Sequence, residues 1–345
     1  LSSIRHLGIL GAGNISDTHA RAAASLPNVR VSAICGANQT RVAAMAERYG
    51  ATPYLDVDAF VRHRPLDIVA IGSPSGLHGA QVAAAAAQGL HVLVEKPLEV
   101  TTARIDEMAA IVERAGIQLG VFFQDRSTPD FVALKRDLEA GALGRLTLAD
   151  ARVKWYRPPE YYSQSRWRGT WALDGGGALM NQGIHTADLL LWLLGDVRRV
   201  YAKAVTALHS IEVEDTVVAV LEFASGAVGT FEATTAAWPG YNRRVSLSGT
   251  SGTVVIEQDR VIRQDLRDRP DAGSSESATA GASAASPVVA DASAHRRVLE
   301  DFLDALDTGR PPRVGLREGR RSIALAEAIY ESSRRGQPVD LTAAG

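Results

Sequence analysis

Short apolar runs alternate with segments of helical period through the first third of the chain. Ile4 to Leu10, Val29 to Cys35, Asp67 to Ile71 and His91 to Val94 read as buried strands, with Gln118 to Phe122 as a last one. Between them, Thr18 to Leu26, Arg41 to Tyr49, Ala80 to Gln88 and Ile105 to Ala115 space apolar residues along one helix face. Strands that are apolar throughout are buried on both faces, and their alternation with helices implies a parallel, doubly wound sheet. Beyond residue 123 the pattern changes. Val132 to Ala140 reads as a helix, and Arg145 to Lys154, Arg199 to Thr206, Glu214 to Phe223, Ala227 to Ala233 and Arg243 to Gly249 read as strands. Tight turns at Ser225-Gly226 and Ser248 to Gly252 imply antiparallel pairing there. Arg296 to Leu306 and Gly315 to Ser333 read as closing amphipathic helices.

The expected fold class is therefore α/β in two domains, which suits a length of 345 residues. Residues 1–122 form a dinucleotide-binding Rossmann domain and 123–345 a substrate-binding α/β domain, with the C-terminal helices free to pack back on the first. Residues 268–291, rich in Ala, Ser, Gly and Asp without an aromatic, read as a surface loop. A net charge of −2 gives no field for nucleic acid or an anionic membrane, so a small-molecule partner is expected. The one cysteine, Cys35, excludes an internal disulfide, and no CxxC or HExxH pattern supplies a metal site. No leader pattern opens the sequence and no run of about 18 apolar residues occurs, so the expected location is the cytoplasm.

Candidate chemistry sits where strands end. Gly11-Ala12-Gly13-Asn14-Ile15-Ser16 joins the first strand to the first helix, as a pyrophosphate cradle does, with Ser16 in place of a third glycine. The second strand ends in Gly36-Ala37-Asn38-Gln39-Thr40-Arg41. NAD-binding sheets usually carry an acid there, about 20 residues past the glycines. Its absence, with Arg41 placed to meet a 2′-phosphate, favours NADP(H) over NAD(H). Ser73-Pro74 with His78 ends one strand, and Glu95-Lys96-Pro97 ends the next; Pro97 biases Lys96 toward extended backbone.

The glycine turn Gly175-Gly176-Gly177 feeds an apolar run carrying Asn181, His185 and Asp188. A helix would place Asn181 and His185 on one face, and buried polar groups there are costly unless paired or facing a cleft. Upstream, Trp155 to Tyr162 and Trp167 to Trp171 form an aromatic and arginine loop suited to a sugar, whose C–H faces stack on rings and whose hydroxyls or carboxylate take guanidinium and phenol groups. Tyr161 and Trp167 are the candidates within it.

Taken together and in order, Gly11-Ala12-Gly13, Ser73-Pro74 with His78, Glu95-Lys96-Pro97 and Gly175 to Asp188 resemble the Gfo/Idh/MocA family of glucose–fructose oxidoreductase and inositol dehydrogenase-like enzymes. The resemblance implies an open, mostly antiparallel second sheet that covers the nicotinamide and makes subunit contacts, hence a homodimer or homotetramer. It implies hydride transfer at a secondary alcohol or ketone of a sugar, sugar derivative or cyclitol, with Lys96 on the reacting oxygen and His185 as acid/base. Expected cofactor contacts are Gly11, Gly13, Asn14, Ile15, Gly36, Arg41, Ser73, Pro74, His78, Glu95, Lys96 and Gln124. Expected substrate contacts are Arg126, Tyr161, Trp167, Asn181 and Asp188, the last also able to orient His185. Asn181 departs from the family, many of whose members carry Asp there; an amide cannot hold charge beside His185. Two other readings fit the same motifs: a closed redox cycle for elimination or epimerisation, and a non-catalytic dinucleotide sensor.

Overall fold

The structure, a computed structural model, describes residues 4–268 and 291–341. The expected low-complexity loop therefore lies, its end residues aside, outside the described residues. Two compact units divide the chain: one holds residues up to Gln124 with the segment from 291 to Arg320, the other runs from Asp125 to 268 and from Arg321 onward. No described helix is long and apolar enough to cross a membrane.

The first unit is built on six strands, β1 (Arg5–Leu10), β2 (Val29–Cys35), β3 (Thr52–Tyr54), β4 (Ile68–Ile71), β5 (His91–Val94) and β6 (Leu119–Val121). They lie in the order β3-β2-β1-β4-β5-β6, every pair parallel. This is the doubly wound arrangement the apolar runs require, since β4 and the last three residues of β5 are wholly buried. Strand order reverses beside β1, so the carboxyl ends of β1 and β4 flank the crevice where such sheets take ligands. Helices α1 (Asn14–Ala24), α2 (Gln39–Tyr49), α3 (Val57–Val61), α4 (His78–Ala86) and α5 (Thr102–Ala115) connect the strands. Late in the chain, the helix Ser293–Thr308 returns to this unit, and its Val298, Leu299, Phe302 and Leu303 enter the core with Leu7, Ile9 and Phe122. Of the C-terminal helices left free to pack back on the first domain, this one belongs to the first unit, because its apolar face is buried there.

The second unit carries eight strands, β7 (Leu146–Lys154), β8 (Val197–Val205), β9 (Thr216–Phe223), β10 (Val228–Thr234), β11 (Arg244–Gly249), β12 (Gly252–Glu257), β13 (Arg260–Leu266) and β14 (Val339–Asp340). Their order is β13-β12-β11-β7-β10-β9-β8-β14, and only β7–β10 is parallel. Helix α6 (Pro129–Glu139) leads into this sheet, α7 (Glu160–Ser163) lies in the aromatic loop, and α8 (Ile184–Leu194) carries the buried leucines Leu189 to Leu191. Two further helices among the described residues are α9 (Ser293–Thr308) and α10 (Leu316–Arg335).

One face of this sheet is left open within its unit. Pairing aligns Leu148, Val228, Glu222 and Arg199 in one row, Asp150, Thr230, Val220 and Tyr201 in the next, and Arg152, Glu232, Val218 and Lys203 in a third. Tyr201, Val218, Val220, Val228 and Leu148 are all exposed.

Candidate active site

At the first turn, Gly11 and Gly13 do different work. Gly11 has φ of 122°, and a Cβ there would come within 2.6 Å of Ser16 Oγ and 2.7 Å of the Gly72 carbonyl oxygen, so no side chain is tolerated. A Cβ on Gly13 would meet nothing within 4 Å. Gly13 also stands at the N-cap of α1, which no side chain caps. The first-turn amides after it, those of Asn14 and Ile15 included, therefore border open space with the positive end of the helix behind them. Those residues fit a dinucleotide pyrophosphate. At the end of β2, Gly36 packs where a Cβ would stand 3.2 Å from Val42 and 3.3 Å from Ala12. Asn38 caps α2 by accepting the Arg41 N–H at 3.0 Å, and the Arg41 side chain is exposed.

The ends of β4 and β5 are stitched together from inside. Ser73 Oγ donates to Gln81 at 2.6 Å, and Pro74 opens the short turn Ser75–Leu77. His78 is fully buried: its Nδ1 lies 3.1 Å from both the Pro97 and the Leu98 carbonyl oxygens, and its Nε2 3.1 Å from that of Ser73. These bonds make it a staple joining the Ser73 turn to the Lys96-Pro97-Leu98 turn. Burial pushes its pKa down against the pull of the carbonyls.

Glu95 is likewise internal. Its Oε1 accepts from His19 Nε2 at 2.9 Å and faces His295 Nε2 at 3.6 Å, while its Oε2 accepts the Lys96 backbone N–H at 3.1 Å. Burial alone would raise the Glu95 carboxyl, but the hydrogen bonds and charge attraction of the two histidines hold it well below the usual range. Burial pushes His19 down, against the hydrogen bond and charge of the Glu95 carboxylate. The three potential ligand atoms lie within 4.8 Å of one another. A metal-bound imidazole donates its other ring N–H to an acceptor, yet Nδ1 of His19 and of His295 has none among the described residues. The trio forms a hydrogen-bonded clamp on the segment presenting Lys96. Lys96 itself is half-buried, as is Gln124 in the short turn Gln124–Ser127.

In the second unit the glycine turn closes on Glu214. Its carboxylate accepts the N–H groups of Gly177 at 3.0 Å and Leu179 at 2.8 Å and the Tyr330 hydroxyl at 3.1 Å. A Cβ on Gly177 would overlap the Glu214 carbonyl oxygen at 1.6 Å. The turn runs into a π-helical segment, Ala178–Gly183, before α8 begins at Ile184. The single regular helix expected across Asn181 and His185 is thus replaced by a wide turn and an α-helix, the opening of the coil being set where Glu214 takes the first amides. Burial pushes the Glu214 carboxyl up to about 7 despite those donors.

Asn181 donates to Asp174 at 2.8 Å, and Asp174 also accepts the Gly169 N–H at 2.9 Å. A buried carboxylate thus stands one hydrogen bond behind the residue where the family pattern would place an acid. Gln182 donates to the Tyr161 hydroxyl at 3.1 Å, which reaches Asn181 at 3.5 Å. Trp167 is half-buried and its carbonyl accepts from Thr170 at 2.7 Å. His185 is half-buried on the first turn of α8. Arg126 and Asp188, expected at a substrate, meet each other instead: two bonds of 2.8 and 2.7 Å join them, Ser322 adds a third to Asp188 at 3.1 Å, and both side chains are buried. A buried pair with both oxygens engaged anchors α8.

Two outcomes follow from this geometry. Gly13→Ala should leave the thermal midpoint within about 1 °C, since its methyl meets nothing, while weakening NADH binding about tenfold or more by filling the cradle; unchanged NADH affinity would remove Gly13 from the cofactor site. For Glu214 the folded pKa, about 7, lies above the ordinary 4.5, so the folded state binds the proton more tightly. Its contribution to stability is full below 4.5 and is lost as pH rises through 7. Urea unfolding of the wild type should therefore fall across that window more steeply than that of Glu214→Gln; equal slopes would show that Glu214 does not titrate there.

Comparison with known proteins agrees with this architecture. Residues 5–123 match the family model described as "Oxidoreductase family, NAD-binding Rossmann fold", and residues 131–255 match the "GFO/IDH/MocA C-terminal domain". The D-xylose 1-dehydrogenase (NADP(+)) 2 of Haloferax volcanii is 30% identical over 97% of this chain and 99% of its own. The myo-inositol 2-dehydrogenase of Thermotoga maritima is 26% identical, over 97% and 98% respectively. Among solved structures, the WlbA dehydrogenase from Bordetella pertussis, in complex with NADH and UDP-GlcNAcA, superposes with a TM-score of 0.87 at 31% identity, covering 99% of this chain and 100% of its own. With a Rossmann unit whose first turn fits a dinucleotide, and family models matched over more than half its length, the chain belongs to the Gfo/Idh/MocA family of NAD(P)-dependent oxidoreductases.

Proposed function

We propose that this oxidoreductase transfers a hydride between a nicotinamide and a secondary alcohol or ketone carbon of a sugar, sugar derivative or cyclitol. The observation that carries the reading lies on one edge of the parallel sheet. There the uncapped helix start at Gly13 and the Glu95-clamped segment presenting Lys96 both follow strand carboxyl ends. A nicotinamide dinucleotide bound at that edge supplies the hydride chemistry. Lys96 meets the reacting oxygen and stabilises alkoxide character with its ammonium charge. His185 takes the hydroxyl proton in oxidation and returns it in reduction. Asn181, held by Asp174, and Tyr161, held by Gln182, orient substrate hydroxyls. Nucleotide-linked sugars such as the UDP-GlcNAcA held by the Bordetella pertussis neighbour fall within the same class.

NADP(H) is the preferred cofactor in this reading. The loop Gly36 to Arg41 offers no carboxylate to repel a 2′-phosphate, and Arg41 is exposed at the start of α2. The open sheet face supports self-association, because its three-row stripe of Val218, Val220, Val228, Tyr201 and Leu148 is flanked by paired charges such as Arg198 with Glu222 and Lys154 with Glu232. A two-fold pairing of such faces is self-complementary. The chain is expected to work in the cytoplasm.

Replacing Lys96 or His185 by Ala should lower turnover about 100-fold or more while cofactor affinity, read by titration, changes little; near-normal turnover would remove that residue from the mechanism. Arg41→Ala should weaken NADPH by about 10- to 150-fold, the worth of one guanidinium–phosphate contact, and leave NADH unchanged. A wild-type preference for NADH would contradict the role given to Arg41. Val220→Asp should reduce the mass seen by light scattering to that of one chain, whereas an unchanged oligomer would place the interface elsewhere.

A further inference from the structure

Four side chains of the second unit are joined by hydrogen bonds that all run one way. Gln182 Nε2 donates to the Tyr161 hydroxyl oxygen at 3.1 Å, the Tyr161 O–H is aimed at Asn181 Oδ1 at 3.5 Å, and Asn181 Nδ2 donates to Asp174 Oδ1 at 2.8 Å. Gln182 Nε2 also reaches Asn181 Oδ1, at 3.4 Å. The bond to Asp174 is the shortest of these, as suits a charged acceptor. Asp174 Oδ2 takes another donor, the Gly169 N–H, at 2.9 Å. Donors on both oxygens mark Asp174 as a carboxylate, which accepts and cannot donate. Burial pushes the hydroxyls of Tyr161, Tyr162 and Tyr330 up, and the Asp174 charge adds to the push on each, although Arg168 and Arg157 pull that of Tyr161 down. Tyr161 therefore keeps its proton and stays a donor.

The place of Asp174 is set by its own turn. Its backbone N–H and that of Gly175 donate to the Thr170 carbonyl at 3.1 and 3.2 Å, Thr170 Oγ1 donates to the Trp167 carbonyl at 2.7 Å, and the Gly169 bond closes the loop. A charge fixed at one end decides how the rest must lie. An amide can face a carboxylate only with its NH2, so Asn181 Oδ1 is turned toward Tyr161. Tyr161 then points its proton at that oxygen and takes its own donor from Gln182. With an amide at 174 the same side chains could run in the opposite sense, the same atoms remaining in contact. Asp174 is 1% exposed, whereas Asn181 and Tyr161 are half-buried, so a ligand meets the chain through these two.

We propose that Asp174 is a positioning residue of the site: acting through Asn181, its charge sets the direction of the chain and keeps the Asn181 amide oxygen turned toward Tyr161. A sugar hydroxyl that meets Asn181 from that side finds an acceptor and binds as a donor. This rests on the sugar oxidoreductase reading above, in which Asn181 and Tyr161 orient substrate hydroxyls, and adds the group that orients them. The charge belongs at 174 and not at 181, because a second acid at 181 would lie against Asp174, and two carboxyls so close share one proton.

The test is urea unfolding of the full chain from pH 5 to 7 for the wild type, for Asn181→Asp, and for the exchange that combines Asp174→Asn with Asn181→Asp. Differences from the wild type cancel Glu214 and the other groups that titrate in common. Unfolded, both acids are ionised above pH 5, whereas folded Asn181→Asp keeps the shared proton, so its unfolding constant should rise relative to the wild type by about tenfold per pH unit. In the exchanged pair an amide at 174 can accept from Gly169 and donate to the carboxylate, so that difference should stay flat. Selective 15N labelling of the five asparagines reads the lock directly. One N–H of Asn181, identified by its loss in Asn181→Asp, should lie downfield in the wild type and move back in Asp174→Asn. With D-glucose, N-acetyl-D-glucosamine and myo-inositol as probes, Asp174→Asn should raise the KM of any that is oxidised about tenfold, the worth of one hydrogen bond, and leave the dinucleotide KM unchanged. A flat difference for Asn181→Asp, its failure to fold at pH 5, a slope that survives the exchange, an Asn181 signal indifferent to Asp174→Asn, or an unchanged sugar KM overturns the proposal. The broader reading is judged separately: hydride transfer without the lock removes Asp174 alone, and the lock without hydride transfer leaves the chain standing while the oxidoreductase reading falls.

Discussion

The second unit turns on the carboxylate of Glu214. It accepts the first free amides of the glycine turn, and its own carbonyl fills the space that any side chain on Gly177 would need. A buried carboxylate with three donors replaces the water that those amides would otherwise keep. Because the turn is pinned there, the coil after it opens into the π-helical segment and then settles into α8, fixing where Asn181 and His185 stand. The ion pair of Arg126 with Asp188 holds the same helix further along.

The first unit uses the same device. Glu95 is charged, internal and satisfied by His19 and the backbone of Lys96, with His295 of α9 behind it. His19 stacks on Phe122 at 4.2 Å, so the clamp is packed as well as hydrogen-bonded. In both units, then, a buried carboxylate fixes the backbone bearing a residue assigned to the chemistry. Preorganisation of this kind lets catalytic groups act without reorganising at the moment of reaction.

The parallel sheet was legible because burial on both faces writes a strand as an unbroken apolar run. Val29–Cys35 and His91–Val94 stand in the structure with the bounds the sequence suggests. The strand Thr52–Tyr54 and the helix Val57–Val61 escaped because three and five residues are too few to show a period. β13 escaped because an edge strand reading Arg-Val-Ile-Arg-Gln-Asp-Leu looks like a polar loop. Among site residues, motifs marked Gly13, Lys96 and His185 but not what holds them. His295 lies 200 residues from Glu95, and Glu214 carried only the faint signal of an acid opening an apolar strand. His78 shows the limit most clearly: the motif gave its place after Ser73-Pro74 but not its partners, the carbonyls of Pro97 and Leu98, which are set by tertiary structure alone.

The central claim is net hydride transfer between a sugar carbon and nicotinamide. Its most direct test is to supply the purified chain with oxidised NADP or NAD and a panel of sugars, uronic acids and cyclitols deuterated at each secondary carbinol carbon. Nicotinamide absorbance and the isotope on the recovered dinucleotide would then be followed together. The account predicts one deuterium on the reduced nicotinamide for each ketone formed, from a single carbon of the accepted substrate. Dinucleotide that binds but gains no deuterium from any substrate, or product formed with the cofactor returned to its starting state, would contradict it.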